Sequence, residues 1–176
     1  MTDTQRIGIS GEPKPNAYDP DTQPELFQGV LSRRFMAFIL DVIIIVVPII
    51  LLTIFIALFG LVTFGIGWLL FFLLTPIFVL WAIVYTGATL GSPQSATIGM
   101  RTMGLEMRTW YGAPMYFLLG AVHVIFFWVL VTALTPFVLL VGLFNRRRRL
   151  LHDFLTGTVV INNAARAAEL KRNRGR

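Results

Sequence analysis

Between residues 35 and 95 the chain carries one carboxylate, Asp41, and neither Lys nor Arg. No other feature limits the possible folds as strongly. A soluble domain would have to expose much of this Phe-, Leu- and Ile-rich surface to water, at about 25 cal/mol per Å² of apolar area. Lipid removes that cost. The first apolar run, about Phe35 to Phe59, reaches about 37 Å as a helix, enough to cross a hydrocarbon core of roughly 30 Å. Pro48 lies inside it and is expected to kink it. The uncharged, Gly-rich stretch from Gly60 to Gly67 reads as a tight turn into a second span, about Trp68 to Thr86, with Pro76 as its kink. Gly87 to Pro93 is a loop signal. Gly87 and Gly91 have the spacing of a helix-dimer face, but at a helix end they read as a cap.

A third apolar stretch, Pro114 to Phe144, is too long for one simple span and contains Thr135-Pro136. Charge decides how to read it. Arg33 and Arg34 put the N-terminus inside, the hairpin at 60–67 lies outside, and Arg101 and Arg108 return inside. A single third span would then push Arg146–Arg149 outside, against the tendency of Lys and Arg to stay on the cytoplasmic side. A turn near Pro136 restores the rule. The expected fold is therefore an all-α polytopic membrane protein, a bundle of three to four membrane segments. Residues 94–112 would form an amphipathic cytoplasmic loop, in part helical or strand-like, and both termini would be cytoplasmic.

Residues 1–28 hold four prolines among Gly, Asp, Thr and Gln, too little apolar surface to offset ordering, and read as a disordered tail. The folded part is expected over 29–162. Residues 163–176 form a basic tail that suits anionic lipid headgroups. The net charge of +6 comes from this end: nine Lys and Arg lie from Arg146 onward, against Asp153 and Glu169. Nothing resembles a nucleic-acid reading head. No secretory signal peptide is visible, so the first span is expected to stay as an anchor.

Function classes narrow by absence. Without cysteine there are no disulfides, thiolate metal sites or Cys nucleophiles. Two histidines without clustered ligands argue against a structural zinc site, and no cofactor motif is present. The phosphate loop, the Gly-x-Ser-x-Gly elbow and His-Glu-x-x-His are all missing. The serines lack an adjacent base, so an enzyme is not expected. What remains is a set of polar residues in apolar surroundings. Asp41 needs a partner, because a carboxylate in hydrocarbon costs on the order of 3 kcal/mol. Arg34 lies seven residues earlier on the same helical face and is the expected one. Such a pair either pins the helix in register or forms an ion or proton site. His123 either donates one hydrogen bond to a neighbouring helix or carries protons near neutral pH. Asp153, after His152, could pair with Arg34, Arg101 or the Arg146–Arg149 run, which itself reads as a topology determinant.

Three segments together resemble the RDD family, named for one arginine and two aspartates. They are Arg33-Arg34-Phe35-Met36-Ala37 with Asp41, then Thr97-Ile98-Gly99-Met100-Arg101-Thr102-Met103-Gly104-Leu105, then Arg149-Leu150-Leu151-His152-Asp153 through Val160. The family spacing selects Arg34 over Arg33 and maps the second aspartate onto Asp153. The resemblance covers residues 29–162. It departs where members carry an arginine near the start of the third stretch, since the nearest candidate here is His123. The resemblance implies a bacterial inner-membrane protein, for which transport, including cation/proton exchange, is the usual suggestion. In that reading Asp41 binds a proton or cation, Arg34 lowers its pKa, and Asp153 with Arg101 forms a cytoplasmic gate. So small a chain is expected to work as a homo-oligomer. The competing reading is a non-transporting assembly factor, sensor or anchor that recruits a partner through its tails. A weaker third is a lipid-handling accessory that uses the amphipathic loop.

Overall fold

A computed structural model describes residues 17–134 and 137–175. Helix α1, Val30–Val62, starts after Gly29 and continues through Pro48. Its 33 residues give a length of about 50 Å. The turn that follows is tight. Trp68 lies over Gly60 and donates its indole N–H to the Ala57 carbonyl at 3.2 Å, while Thr63 Oγ1 accepts from Gly67 N at 2.8 Å. The chain returns as a 3-10 helix, Ile66–Leu73, that runs into α2, Leu74–Leu90. Pro76 is the third residue of α2, not a kink within it. Its missing N–H falls in the first turn, where an α-helix has donors without partners anyway.

After α2 the chain forms a short helix α3, Ile98–Thr102, and a strand β1, Leu105–Thr109. Helix α4, Phe117–Leu134, is, among the described residues, the third helix long and apolar enough to cross a membrane, beside the helical stretches 24–62 and 66–90. Helix α5, Phe137–Phe144, follows it. The expected turn residues Thr135 and Pro136 lie outside the described residues. Helix α6, Leu151–Leu155, strand β2, Thr158–Asn162, and helix α7, Ala164–Arg174, complete the chain. The molecule is a mostly helical membrane protein. Large apolar side chains such as Leu51, Phe55, Leu58, Leu69, Phe72 and Leu80 face outward, as suits helices that pack against lipid.

Glycines let α2 and α4 approach closely. A Cβ on Gly87 would meet the Phe117 ring at 2.9 Å, and one on Gly120 would meet the Gly87 Cα at 3.2 Å. Gly91 is the expected cap, its N–H donating to the Gly87 carbonyl at the end of α2, and Gly87 in addition forms part of an intramolecular helix crossing.

The polar end of the bundle is more built than the sequence reading foresaw. β1 and β2 pair antiparallel, from Leu105 opposite Asn162 to Thr109 opposite Thr158. β2 is buried at every position, in keeping with its β-branched Thr-Val-Val-Ile run. Residues 17–28 are not a disordered tail: Tyr18, Leu26 and Phe27 pack on Val159 and Ile161, and Asn162 donates to the carbonyls of Glu25 and Gln28. Residues 1–16, the rest of that expected tail, lie outside the described residues. The basic tail forms α7, with Lys171, Arg172 and Arg174 in its last turn. The Arg146–Arg149 run lies at the same end of the bundle as Arg34, which donates to the Arg148 carbonyl, while Arg146 pairs with Asp21 at 3.1 Å.

Candidate functional site

Arg34 sits in the second turn of α1, and its partner is Asp153 of α6, not Asp41. The guanidinium grips the carboxylate with both terminal nitrogens, NH1 to Oδ2 at 2.5 Å and NH2 to Oδ1 at 3.0 Å. This two-point fork is the strongest geometry open to an Arg–carboxylate pair. Asp153 Oδ2 also accepts from the Leu150 backbone N–H at 2.8 Å, at the start of α6, where unpaired N–H groups favour negative charge. The Asp153 side chain is fully buried and that of Arg34 is 12% exposed. Burial alone would raise the Asp153 pKa, but the Arg34 charge and hydrogen bonds outweigh it and hold the carboxyl below its ordinary range.

Asp41 has a separate set of partners. Tyr85 Oη and Thr97 Oγ1 each donate to it at 2.6 Å, and the Gly99 backbone N–H donates at 2.8 Å. Thr97 caps α3 by accepting from Met100 N. A side chain on Gly99 would strike the Ala37 carbonyl and the Asp41 carboxylate. Asp41 therefore ties α3 and α2 to α1. The expected Arg34–Asp41 pair does not form because seven residues of helix separate their Cα atoms by about 10.5 Å along the axis, and each finds nearer partners on a different segment.

Arg101 also differs from expectation. Its guanidinium donates to the Ala96 carbonyl, the Ser92 hydroxyl and the Thr89 carbonyl, so it closes the end of α2 and does not gate Asp153.

The two histidines meet at Asp153. Nε2 of His123 lies 3.8 Å and Nε2 of His152 3.5 Å from Asp153 Oδ1. The rings pack edge to face with centroids 4.8 Å apart, and Phe127 covers His152 from the side. On its other side, His123 Nδ1 meets the Thr156 hydroxyl at 3.1 Å, and that hydroxyl also contacts the His152 carbonyl at 2.8 Å and the Thr158 hydroxyl at 3.0 Å. His152 has no hydrogen bond at Nδ1. Burial pushes its pKa down to about 4, so the ring is neutral at pH 7.

Arg149 was the residue hidden in the sequence. Read there as one of four interchangeable topology charges, it is 1% exposed. Nε donates to the Thr158 carbonyl and NH2 to the Asp153 carbonyl, both at 2.8 Å. Its guanidinium stacks between Trp110 at 3.8 Å and Phe154 at 4.2 Å. It locks α6 to the sheet and so holds Asp153 up to Arg34. Tyr85, the hydroxyl on Asp41, was missed as well; a lone phenol in an apolar span was its only signal.

The arrangement is an arginine-neutralised, buried carboxylate with two imidazoles on its other side. It can accept one further positive charge, provided Arg34 yields part of its hold.

The model of a family described as the RDD family matches residues 29–157. No curated protein and no solved structure matches the chain.

Proposed function

This chain belongs to the RDD family, and we propose that it is a small secondary transporter of a bacterial inner membrane, exchanging a cation for a proton. The observation that carries this reading is the convergence of His123, His152 and Arg34 on the buried carboxylate of Asp153. At rest Arg34 neutralises Asp153. A proton or cation arriving on the histidine side competes with Arg34 for the carboxylate. Because Arg34 is partly exposed and already donates to the Arg148 carbonyl, it has somewhere to withdraw to. Alternation between these two pairings is the exchange step. In this reading Asp41 keeps α3 against α1 and does not carry the ion.

The described residues of one chain offer three helices able to span the membrane, few to line a path, so the working unit is a homo-oligomer. Both termini lie in the cytoplasm, where α7 and the Arg146–Arg149 run meet anionic headgroups. The chain is not an enzyme and does not bind nucleic acid.

A second reading has one observation in its favour. Arg34, Asp41 and Asp153 are each fully engaged by groups that fasten one segment to another. A non-transporting membrane module would use them in that way alone, and would recruit its partner through exposed surfaces such as α7.

Proton flux in proteoliposomes under imposed gradients of Na⁺, K⁺, Li⁺, Zn²⁺ or Co²⁺ separates the two. The transporter predicts flux in the wild type and none in a folded Asp153→Asn variant. Flux in neither, or equal flux in both, moves the assignment to the module.

A further inference from the structure

The convergence at Asp153 also bears on the kind of cation. His123, His152 and Asp153 each offer one donor atom within 4.8 Å of the others', and all three residues are buried; both histidines face Asp153 Oδ1 through Nε2. Two imidazole nitrogens and one carboxylate oxygen are a poor set for Na⁺, K⁺, Mg²⁺ or Ca²⁺, which favour oxygen. They are the usual set for Zn²⁺, Co²⁺ or Ni²⁺. Bonds of about 2.0–2.1 Å at tetrahedral angles put neighbouring ligand atoms roughly 3.3 Å apart. The two N···O separations are 3.8 and 3.5 Å and the three atoms span up to 4.8 Å, so closing on an ion brings the ligands together by about 0.2–1.5 Å, within reach of side-chain rotation.

A further observation points to a ligand at this place. His152 is 2% exposed, yet Nδ1 has no partner and Nε2 reaches only Asp153, beyond ordinary hydrogen-bond length. A buried imidazole so poorly satisfied calls for an explanation.

We propose that His123, His152 and Asp153 form a binding site for a divalent transition-metal ion, with Arg34 as the built-in cation that the metal displaces from Asp153. This rests on the reading of the Asp153 cluster as a cation site and names the class of cation. The ion takes three protein ligands and leaves a fourth position for water. Arg34 stays paired while the site is empty and prevents an uncompensated buried carboxylate.

The test uses the full chain without a polyhistidine tag, purified in detergent and titrated with Co²⁺ alone. The expected result is the visible absorption of four-coordinate Co²⁺, saturating at one ion per chain and displaced by Zn²⁺. It should be lost in His123→Gln and in His152→Gln. Since either variant could fold poorly, a second measurement uses the wild type only: Zn²⁺ should raise its melting temperature and Mg²⁺ should not. No Co²⁺ absorption up to millimolar concentration overturns the proposal, as does absorption that survives both substitutions in folded protein. Proton flux driven by Na⁺, K⁺ or Li⁺ without metal binding would overturn this inference and leave the transporter standing. Metal binding without flux of any ion would do the reverse.

Discussion

Removing Arg34 should harm the protein more than removing its partner, and the harm should depend on pH in a defined direction. In Arg34→Gln, Asp153 loses two of its three hydrogen bonds and keeps only the Leu150 N–H, with a side chain that has no access to water. Breaking a buried pair so that one charge stays uncompensated costs about 3–5 kcal/mol. On the scale of a soluble domain of similar size this lowers the melting temperature by roughly 6–20 °C. Asp153→Asn keeps an acceptor for Leu150 N and leaves a charge on Arg34, which reaches solvent and the Arg148 carbonyl. Its cost is that of hydrogen bonds to a charged group, about 1.5–3 kcal/mol. In the wild type the folded His152 pKa of about 4 lies below its unfolded value of 6.5. Stability therefore falls as pH drops from 6.5 toward 4, because the unfolded chain takes up a proton that the folded one refuses. The depressed Asp153 pKa contributes stability above its ordinary value of 3.8 that is lost only in stronger acid. Without Arg34 the folded cluster accepts a proton to balance Asp153. The penalty of Arg34→Gln should then shrink on going from pH 8 to pH 5, by up to about 1.4 kcal/mol per unit. Thermal unfolding of the two variants and the wild type in detergent across that range is the assay. A pH-independent penalty, or a larger loss in Asp153→Asn, would refute the reasoning.

Other residues give independent tests. Asp41→Asn puts an amide nitrogen among three donors and should cost about 1–3 kcal/mol; thermal unfolding should drop while flux per folded molecule stays within about twofold, and loss of flux at normal stability would make Asp41 part of the ion path. Gly99→Ala drives a methyl into the Ala37 carbonyl and the Asp41 carboxylate and should destabilise by about 1–3 kcal/mol, read as lower accumulation and an earlier melt. Arg149→Lys cannot span the Thr158 and Asp153 carbonyls or stack between Trp110 and Phe154. It should cost about 2–3 kcal/mol, and a melt equal to wild type would remove Arg149 from the support of α6. For sidedness, Asn162 is fully buried and unsuitable for labelling, whereas Ile66 is 73% exposed and Lys171 is exposed. An impermeant thiol reagent on intact cells should label Ile66→Cys and spare Lys171→Cys; the opposite pattern would invert the topology.

The membrane spans were legible because lipid imposes one simple demand, about 20 apolar residues in sequence, which a window of the chain either meets or fails. The polar end answers to contacts between distant segments. β1 and β2 are five residues each, and their partners lie some fifty positions apart; neither has a run long enough for its period to speak. The order of residues 17–28 depends on Val159 and Ile161, which only the finished sheet presents. His123 and His152 look isolated because 28 residues lie between them, and they meet only after the chain doubles back between α4 and α6. Arg149 looked like its three neighbours, since nothing local marks which of four arginines will be enclosed by Trp110 and Phe154.

The misassigned partner of Arg34 shows what the signature spacing does. Residues seven apart on a helix differ by about 20° in direction, so Arg34 and Asp41 face the same side of α1 at levels about 10.5 Å apart. At that separation they do not pair; they serve as two attachment points on one face. The upper point, Asp41, takes the Thr97 hydroxyl and Gly99 N–H of the second signature segment. The lower, Arg34, takes Asp153 of the third. Each point has the polarity its segment needs, a carboxylate for the donors at the start of α3 and a guanidinium for the acidic residue at the start of α6. Swapping the two along α1, as Arg34→Asp with Asp41→Arg, would set like against like at both levels. The three signature residues are therefore two contacts that share one helix. Each carboxylate accepts three hydrogen bonds; what sets the Arg34 contact apart is the pair of histidine rings against Asp153.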